Sequence, residues 1–181
     1  MKNKRKTETM KIALCGIMAA LCIVIMLLGF FLAIGTYAAP AMAAICLLPI
    51  VYEYGEKTAA TLYLAISFLS FIVIPDYELT FMFVFVFGLY TVFKFRIDRM
   101  KNKTAKIAVK FLFINISVVF AYLILLVIFP VKALVSEFAR YSVGFIALLM
   151  IVLNITFFVY DKALEKILVL YVVKFRKRIF K

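Results

Sequence analysis

Apolar residues in this chain gather into long runs and not into the alternation of a half-buried strand or the single stripe of a soluble helix. Bounded by charged or turn residues, the runs cover Ile12 to Ile34, Ala38 to Tyr52, Thr58 to Ile74, Leu79 to Phe93, Phe111 to Phe129 and Tyr141 to Tyr160. An α-helix needs about 20 residues to cross roughly 30 Å of hydrocarbon, so the pattern predicts six transmembrane helices with short connections. One stretch has a strand-like rhythm, Phe81, Phe83, Phe85 and Phe87, but the intervening Met82, Val84 and Val86 are apolar as well. A membrane barrel needs a polar face on alternate residues, so a barrel is excluded, and helices alone then satisfy their backbone polar groups in lipid. The second and fourth runs are short, and the second carries Pro40 and Pro49. Short or proline-interrupted spans are often those that line a binding site.

Composition agrees with a membrane protein. At 67% hydrophobic residues the chain cannot cover itself with a polar surface. The expected organisation is a single all-α polytopic domain over 1–181: a basic tail at 1–11, a six-helix bundle at 12–160 and a basic amphipathic tail at 161–181. In that last tail Leu164, Ile167, Leu168, Tyr171 and Val172 alternate with charges, which predicts a helix that continues the sixth span and then lies along the inner leaflet. The first run follows basic residues as a signal peptide would. It is too long for one and lacks a small-residue cleavage site, so it reads as a retained span.

Charge sets the orientation. Of 22 Lys and Arg residues, only Lys132 and Arg140 fall in connections on one side; the others lie in the two tails, at Lys57 or between Lys94 and Lys110. The positive-inside rule then places both termini and the basic loops in the cytoplasm, with a cell-membrane location. The formal charge of +13 reads as topology and as attraction to anionic inner-leaflet lipid, not as a nucleic-acid surface.

Chemical motifs fail on context. Gly55-Glu56-Lys57-Thr58 resembles the end of a phosphate loop but lacks the earlier glycine and the preceding strand. Cys15, Cys22 and Cys46 lie within apolar runs, where a thiol acts as a small hydrophobe, and there is no His, so neither a metal nor another cofactor is expected. No nucleophile is paired with a base and no carboxylates share one depth, which argues against an enzyme.

Polar and small residues on helix faces are left to carry function. Tyr63, Ser67 and Ser70 share a face of the third span, and Thr80, Val84, Gly88 and Thr91 share one of the fourth. Asn115 and Tyr122 share a face of the fifth, and Arg140, Ala147, Asn154 and Asp161 recur along the sixth. Asn115 and Asn154 lie at similar depth and are expected to join their helices by hydrogen bonding. At the outer end, Thr36 and Tyr37, then Asp76 and Glu78, then Lys132, Glu137 and Arg140 converge, with Thr80, Tyr122 and Tyr141 just beneath. Such an amphipathic rim over an aromatic interior suits a small organic solute with a ring and polar edges. On the first span, Ala13, Gly16 and Ala20 make a low face fit for close helix packing, and Ala39 and Ala43 repeat the spacing on the second.

With its size, its six spans and the segment from Met10 to Leu21, a basic tail running into an alanine-rich helix, the chain resembles the substrate-binding S components of energy-coupling factor (ECF) transporters. The resemblance implies capture of a vitamin-like solute at the outer face, beneath the loop joining helices one and two. It also implies that Ala13, Gly16 and Ala20 meet a transmembrane coupling (T) subunit, and that two cytoplasmic ATPases supply the energy. The family pattern has alanine where this chain has Gly16. A membrane-embedded structural or assembly protein, docking its basic inner face on lipid or a partner, is the rival expectation.

Overall fold

The computed structural model describes residues 2–32, 35–128 and 143–176. Among them every element is helical, and four helical stretches are long and apolar enough to cross a membrane: Glu8–Phe31, Leu48–Val73, Tyr77–Asp98 and Lys103–Leu125. The chain forms two compact units, Met1–Phe95 and Arg96–Lys181.

In the first unit, α1 spans Lys2–Phe31 and α2 spans Ala38–Ile45. The long α3, Leu48–Val73, is followed by α4, Tyr77–Phe81, a π-helical stretch at Met82–Gly88 and α5, Leu89–Asp98. Helix α1 starts at Lys2, so residues 2–11 of the basic segment extend the first span as helix instead of preceding it as a tail. Residues 2–11 contain neither Gly nor Pro to stop it.

Two breaks shape the centre of this unit. Pro49 has no N–H to offer the carbonyl of Ile45, and the chain tightens there: Cys46 N bonds Ala43 O at 3.0 Å and Leu47 N bonds Ala44 O at 3.1 Å. Cys46 and Leu47 keep right-handed helical dihedrals, so α2 runs through a kink into the start of α3. The second break is Gly55, at φ 81° and ψ 171°, a conformation essentially reserved for glycine. It divides α3 into 48–54 and 56–73. The expected second run, Ala38 to Tyr52, is thus the kinked rod 38–54, and the expected turn before Thr58 is centred on Gly55.

Burial identifies the core. Of the most apolar 18 residues of the Tyr77–Asp98 stretch 67% are buried, against 22% or 28% in the other three, so α4 to α5 is the inner element of its unit. Around it Ala39, Ala43, Ala44, Leu47 and Ile50 are fully enclosed. The tightest approach is Gly29 of α1, where an added Cβ would lie 2.1 Å from the Cβ of Ala39. Large apolar side chains such as Ile17, Leu28, Leu64 and Phe68 remain exposed, as lipid-facing positions do.

The second unit is dominated by α6, Lys103–Ile128, and α7, Val143–Leu170, which ends in a π-helical turn at Tyr171–Phe175. Asn102 caps α6 by accepting from Thr104 N at 3.0 Å and Ala105 N at 3.4 Å. Helix α6 therefore begins eight residues before the apolar run at Phe111, and Lys103, Lys106 and Lys110 lie on helix and not in a loop. Hydropathy marks where a span is apolar; the cap marks where the helix begins. Helix α7 carries the sixth run on through Asp161 as one helix, as expected for the start of the C-terminal segment.

Candidate functional site

The two ends of the first unit are marked by different contacts. At one end the Lys11 ammonium lies 5.9 Å from the ring centre of Tyr54, beside the Gly55 break. From Lys11, α1 rises about 30 Å to the opposite end. There the turn before α2 meets the first turn of α4: Tyr37 Oη donates to Glu78 Oε1 at 3.1 Å.

Local backbone builds both turns. Gly35, at φ 72°, aims its carbonyl at the start of α2, accepting from Ala38 N at 3.1 Å and Ala39 N at 3.4 Å. After α3, Ile74 and Asp76 are extended, and Asp76 Oδ1 accepts from Leu79 N at 3.1 Å as the cap of α4. Tyr37 is exposed, while Thr36, Asp76 and Glu78 are half-buried. Thr80, one turn below Asp76, is wholly enclosed and its hydroxyl finds no hydrogen-bond partner among the described residues.

Of the rim expected from sequence, Tyr37 and Glu78 are thus joined directly, and Asp76 and Thr80 stand on the same turn. Tyr122 belongs to the second unit, half-buried on α6. Glu137, Arg140 and Tyr141, with Lys132, lie outside the described residues.

Beneath the Tyr37 and Glu78 contact runs a polar seam. Tyr63, Ser67 and Ser70 of α3 are buried, as are Thr80, Gly88 and Thr91 of the facing rod. The Tyr63 hydroxyl donates to the carbonyl of Val84, within the π-helical stretch. A π-helical segment leaves a carbonyl without its usual partner where it returns to α-helix, and a tyrosine from a neighbouring helix can fill that place. Gly88 makes room for the ring, since a Cβ there would come 3.0 Å from Tyr63 Cε2 and 2.8 Å from Phe83 O. Ser70 Oγ and Thr91 Oγ1 bond carbonyls of their own helices, Ser67 O at 2.8 Å and Phe87 O at 2.9 Å. Ser67 Oγ, like Thr80 Oγ1, is left without a partner among the described residues.

The small-residue face of α1 is open. Ala13, Gly16 and Ala20 are all exposed, and a Cβ built on Gly16 meets nothing within 4 Å. Helix α1 instead packs inward through Leu14, Cys22, Ile23 and Met26, with Cys22 Sγ 3.4 Å from Ala43 O. Ala39 and Ala43 do serve internal packing.

The second unit holds a charged cluster that the apolar runs did not reveal. Lys110 Nζ pairs with Asp161 Oδ2 at 2.6 Å and with Asp98 Oδ1 at 2.8 Å, and Asp98 also meets Lys106 at 3.7 Å. Carboxylate oxygens of Asp98, Asp161 and Glu165 lie within 4.8 Å of one another, but the Lys110 ammonium is the cation bound to two of them. Deeper along the same two helices Asn115 and Asn154 exchange hydrogen bonds, at 3.0 and 3.2 Å, as expected. A signal for the ion pair was present: antiparallel helices in register at Asn115 and Asn154 bring Lys110 opposite Asp161, one to two turns further on.

Compared with protein-family models, with curated proteins and with solved structures, the chain matches none of them.

Proposed function

We propose that this protein is a substrate-binding subunit of an ATP-driven uptake transporter, similar in plan to an ECF S component. On this reading it crosses the cell membrane six times with both termini in the cytoplasm. A vitamin-like solute binds at the Tyr37 end of the first unit, and a transmembrane coupling subunit with two cytoplasmic ATPases moves it inward.

The observation that carries the reading is the contact of Tyr37 with Glu78. It ties together two turns far apart in sequence, at the end of the unit opposite Lys11, directly over a rod that carries the unpartnered Thr80 hydroxyl. A tyrosine ring and a carboxylate at the mouth, with hydroxyls and Phe rings beneath, offer the stacking surface and polar edges that a small heteroaromatic solute requires. The open Ala13, Gly16 and Ala20 face supports a second helix docking on α1, because backbones approach closely only where side chains are small.

The test is co-expression with T subunits and ATPases of the ECF type, followed by thermal-shift screening of the purified protein against water-soluble vitamins. Recovery of a complex together with one stabilising vitamin supports the proposal. Failure of both leaves the chain as a structural membrane protein.

A further inference from the structure

One exposed stripe of α7 changes character along its length. Leu148, Val152, Ile155 and Val159 follow helical spacing on a single face, each at least 50% exposed, and the next two positions of the stripe are Lys162 and Lys166. Between Leu148 and Val173 these lysines are the only cations on that face. Around them the surface is hollowed: Ile155, Phe158, Val159, Lys162, Ala163 and Lys166 line an open depression.

We propose that this depression is a binding site for one anionic phospholipid, its phosphate between Lys162 and Lys166 and an acyl chain along Val159, Ile155 and Val152. The dimensions agree. Val152 lies near the centre of the apolar run Tyr141 to Tyr160, and the ten residues from it to Lys162 rise about 15 Å, half of the roughly 30 Å hydrocarbon thickness; with that run across the membrane, the lysines reach its headgroup level. Long lysine stems lie along apolar surface while the ammonium reaches the headgroup level. Among the described residues Lys166 forms no ion pair, and Lys162, itself exposed, pairs only with half-buried Glu165 at 3.2 Å, a contact that a phosphate can share or replace. Charge complementarity selects an anionic headgroup over a zwitterionic one, and the apolar stripe selects a lipid over free phosphate. The site rests on α7 standing in the membrane, as the transport reading also has it, but not on transport itself.

Full-length protein in neutral detergent is titrated with phosphatidylglycerol, phosphatidylcholine or inorganic phosphate while the melting temperature is followed, and bound lipid is counted by native mass spectrometry. The expected result is a rise in melting temperature with phosphatidylglycerol alone and one tightly retained lipid. Both are lost in the Lys162→Gln, Lys166→Gln double variant and kept in Lys101→Gln, Lys103→Gln, which removes the same charge from exposed positions elsewhere. An equal rise with phosphatidylcholine or inorganic phosphate overturns the site, as does undiminished phosphatidylglycerol retention in the first variant. Because no vitamin or coupling subunit enters the assay, its outcome is independent of the transport proposal.

Discussion

Lys110 and Asp161 form a buried ion pair between α6 and α7, 2.6 Å long, with side chains only 5% and 3% exposed. Neither charge can be hydrated where it sits, so Lys110 depends on Asp161 and Asp98, and Asp161 on Lys110. Replacing Lys110 with Met leaves Asp161 enclosed without its cation and should lower stability by about 3–5 kcal/mol. Replacing both, as Lys110→Met with Asp161→Leu, should restore most of that loss, because two apolar side chains of similar volume need no hydration. Unfolding of Lys110→Met, Asp161→Leu and the double variant in detergent, compared as a double-mutant cycle, checks this; a loss in the double variant equal to the sum of the two single losses would show that the pair is not coupled.

The Asn115 and Asn154 contact should be worth much less. Each amide NH2 also donates to a carbonyl of its own helix, Phe111 O at 2.7 Å and Met150 O at 2.8 Å, so breaking the pair costs only the donor to a half-buried Oδ1. Asn115→Ala should cost about 1 kcal/mol, and the difference from Lys110→Met should be plain in the same unfolding assay.

What the sequence made legible follows from what hydropathy measures. Runs of apolar residues located each helix of the two units, and the spacing of Tyr63, Ser67 and Ser70 against Thr80, Gly88 and Thr91 located the seam between two of them. Helix ends were not legible in the same way, since Lys2 and Lys103 begin helices through propensity and capping while contributing nothing apolar. The π-helical stretch at Met82–Gly88 left no mark in the hydropathy, and the Tyr63 hydroxyl that meets its Val84 carbonyl comes from another helix, beyond the reach of a local pattern. At the rim, the meeting of Tyr37 and Glu78 was foreseeable from topology, but the role of Asp76 was not. Its carboxylate caps α4, so Asp76→Ala would lose about 1 kcal/mol of local stability and is a poor probe of ligand binding.

Tyr37→Phe is the cleaner probe. The tyrosine is exposed and bonds a half-buried carboxylate at the surface, so removing its hydroxyl should change stability by less than about 1 kcal/mol. If the rim holds a solute through that hydroxyl, affinity should nevertheless fall by roughly 1–3 kcal/mol, or about fivefold to a hundredfold, measured by calorimetry with the stabilising vitamin. Unchanged affinity would remove Tyr37 from the site.

Gly55 offers a test of the break in α3. At φ 81° and ψ 171° a side chain is strained although nothing lies within 4 Å of its Cβ, so Gly55→Ala should destabilise by about 1–3 kcal/mol through the backbone alone. An unchanged melting temperature would mean that α3 runs through residue 55 as one helix, and the turn expected between the second and third spans would be lost.

The contrast between Gly16 and Gly29 separates a docking helix from a merely packed one. Both glycines lie on α1, and sequence spacing singled out Gly16, yet the structure gives the internal close contact to Gly29, whose Cβ would collide with Ala39 at 2.1 Å. Gly29→Leu should therefore disrupt the α1–α2 packing and cost at least the 1–3 kcal/mol typical of overpacking, whatever partners are present. Gly16→Leu points into open space and should leave the isolated protein as stable as before. If α1 docks on a coupling subunit as proposed, the ranking should reverse in kind in its presence: Gly16→Leu should fold normally but no longer assemble, because the added bulk would separate two helix backbones that approach closely in such a contact. Melting temperature and pull-down measured on both variants give the four numbers needed. Normal assembly of Gly16→Leu would show that the exposed small-residue face of α1 meets only lipid.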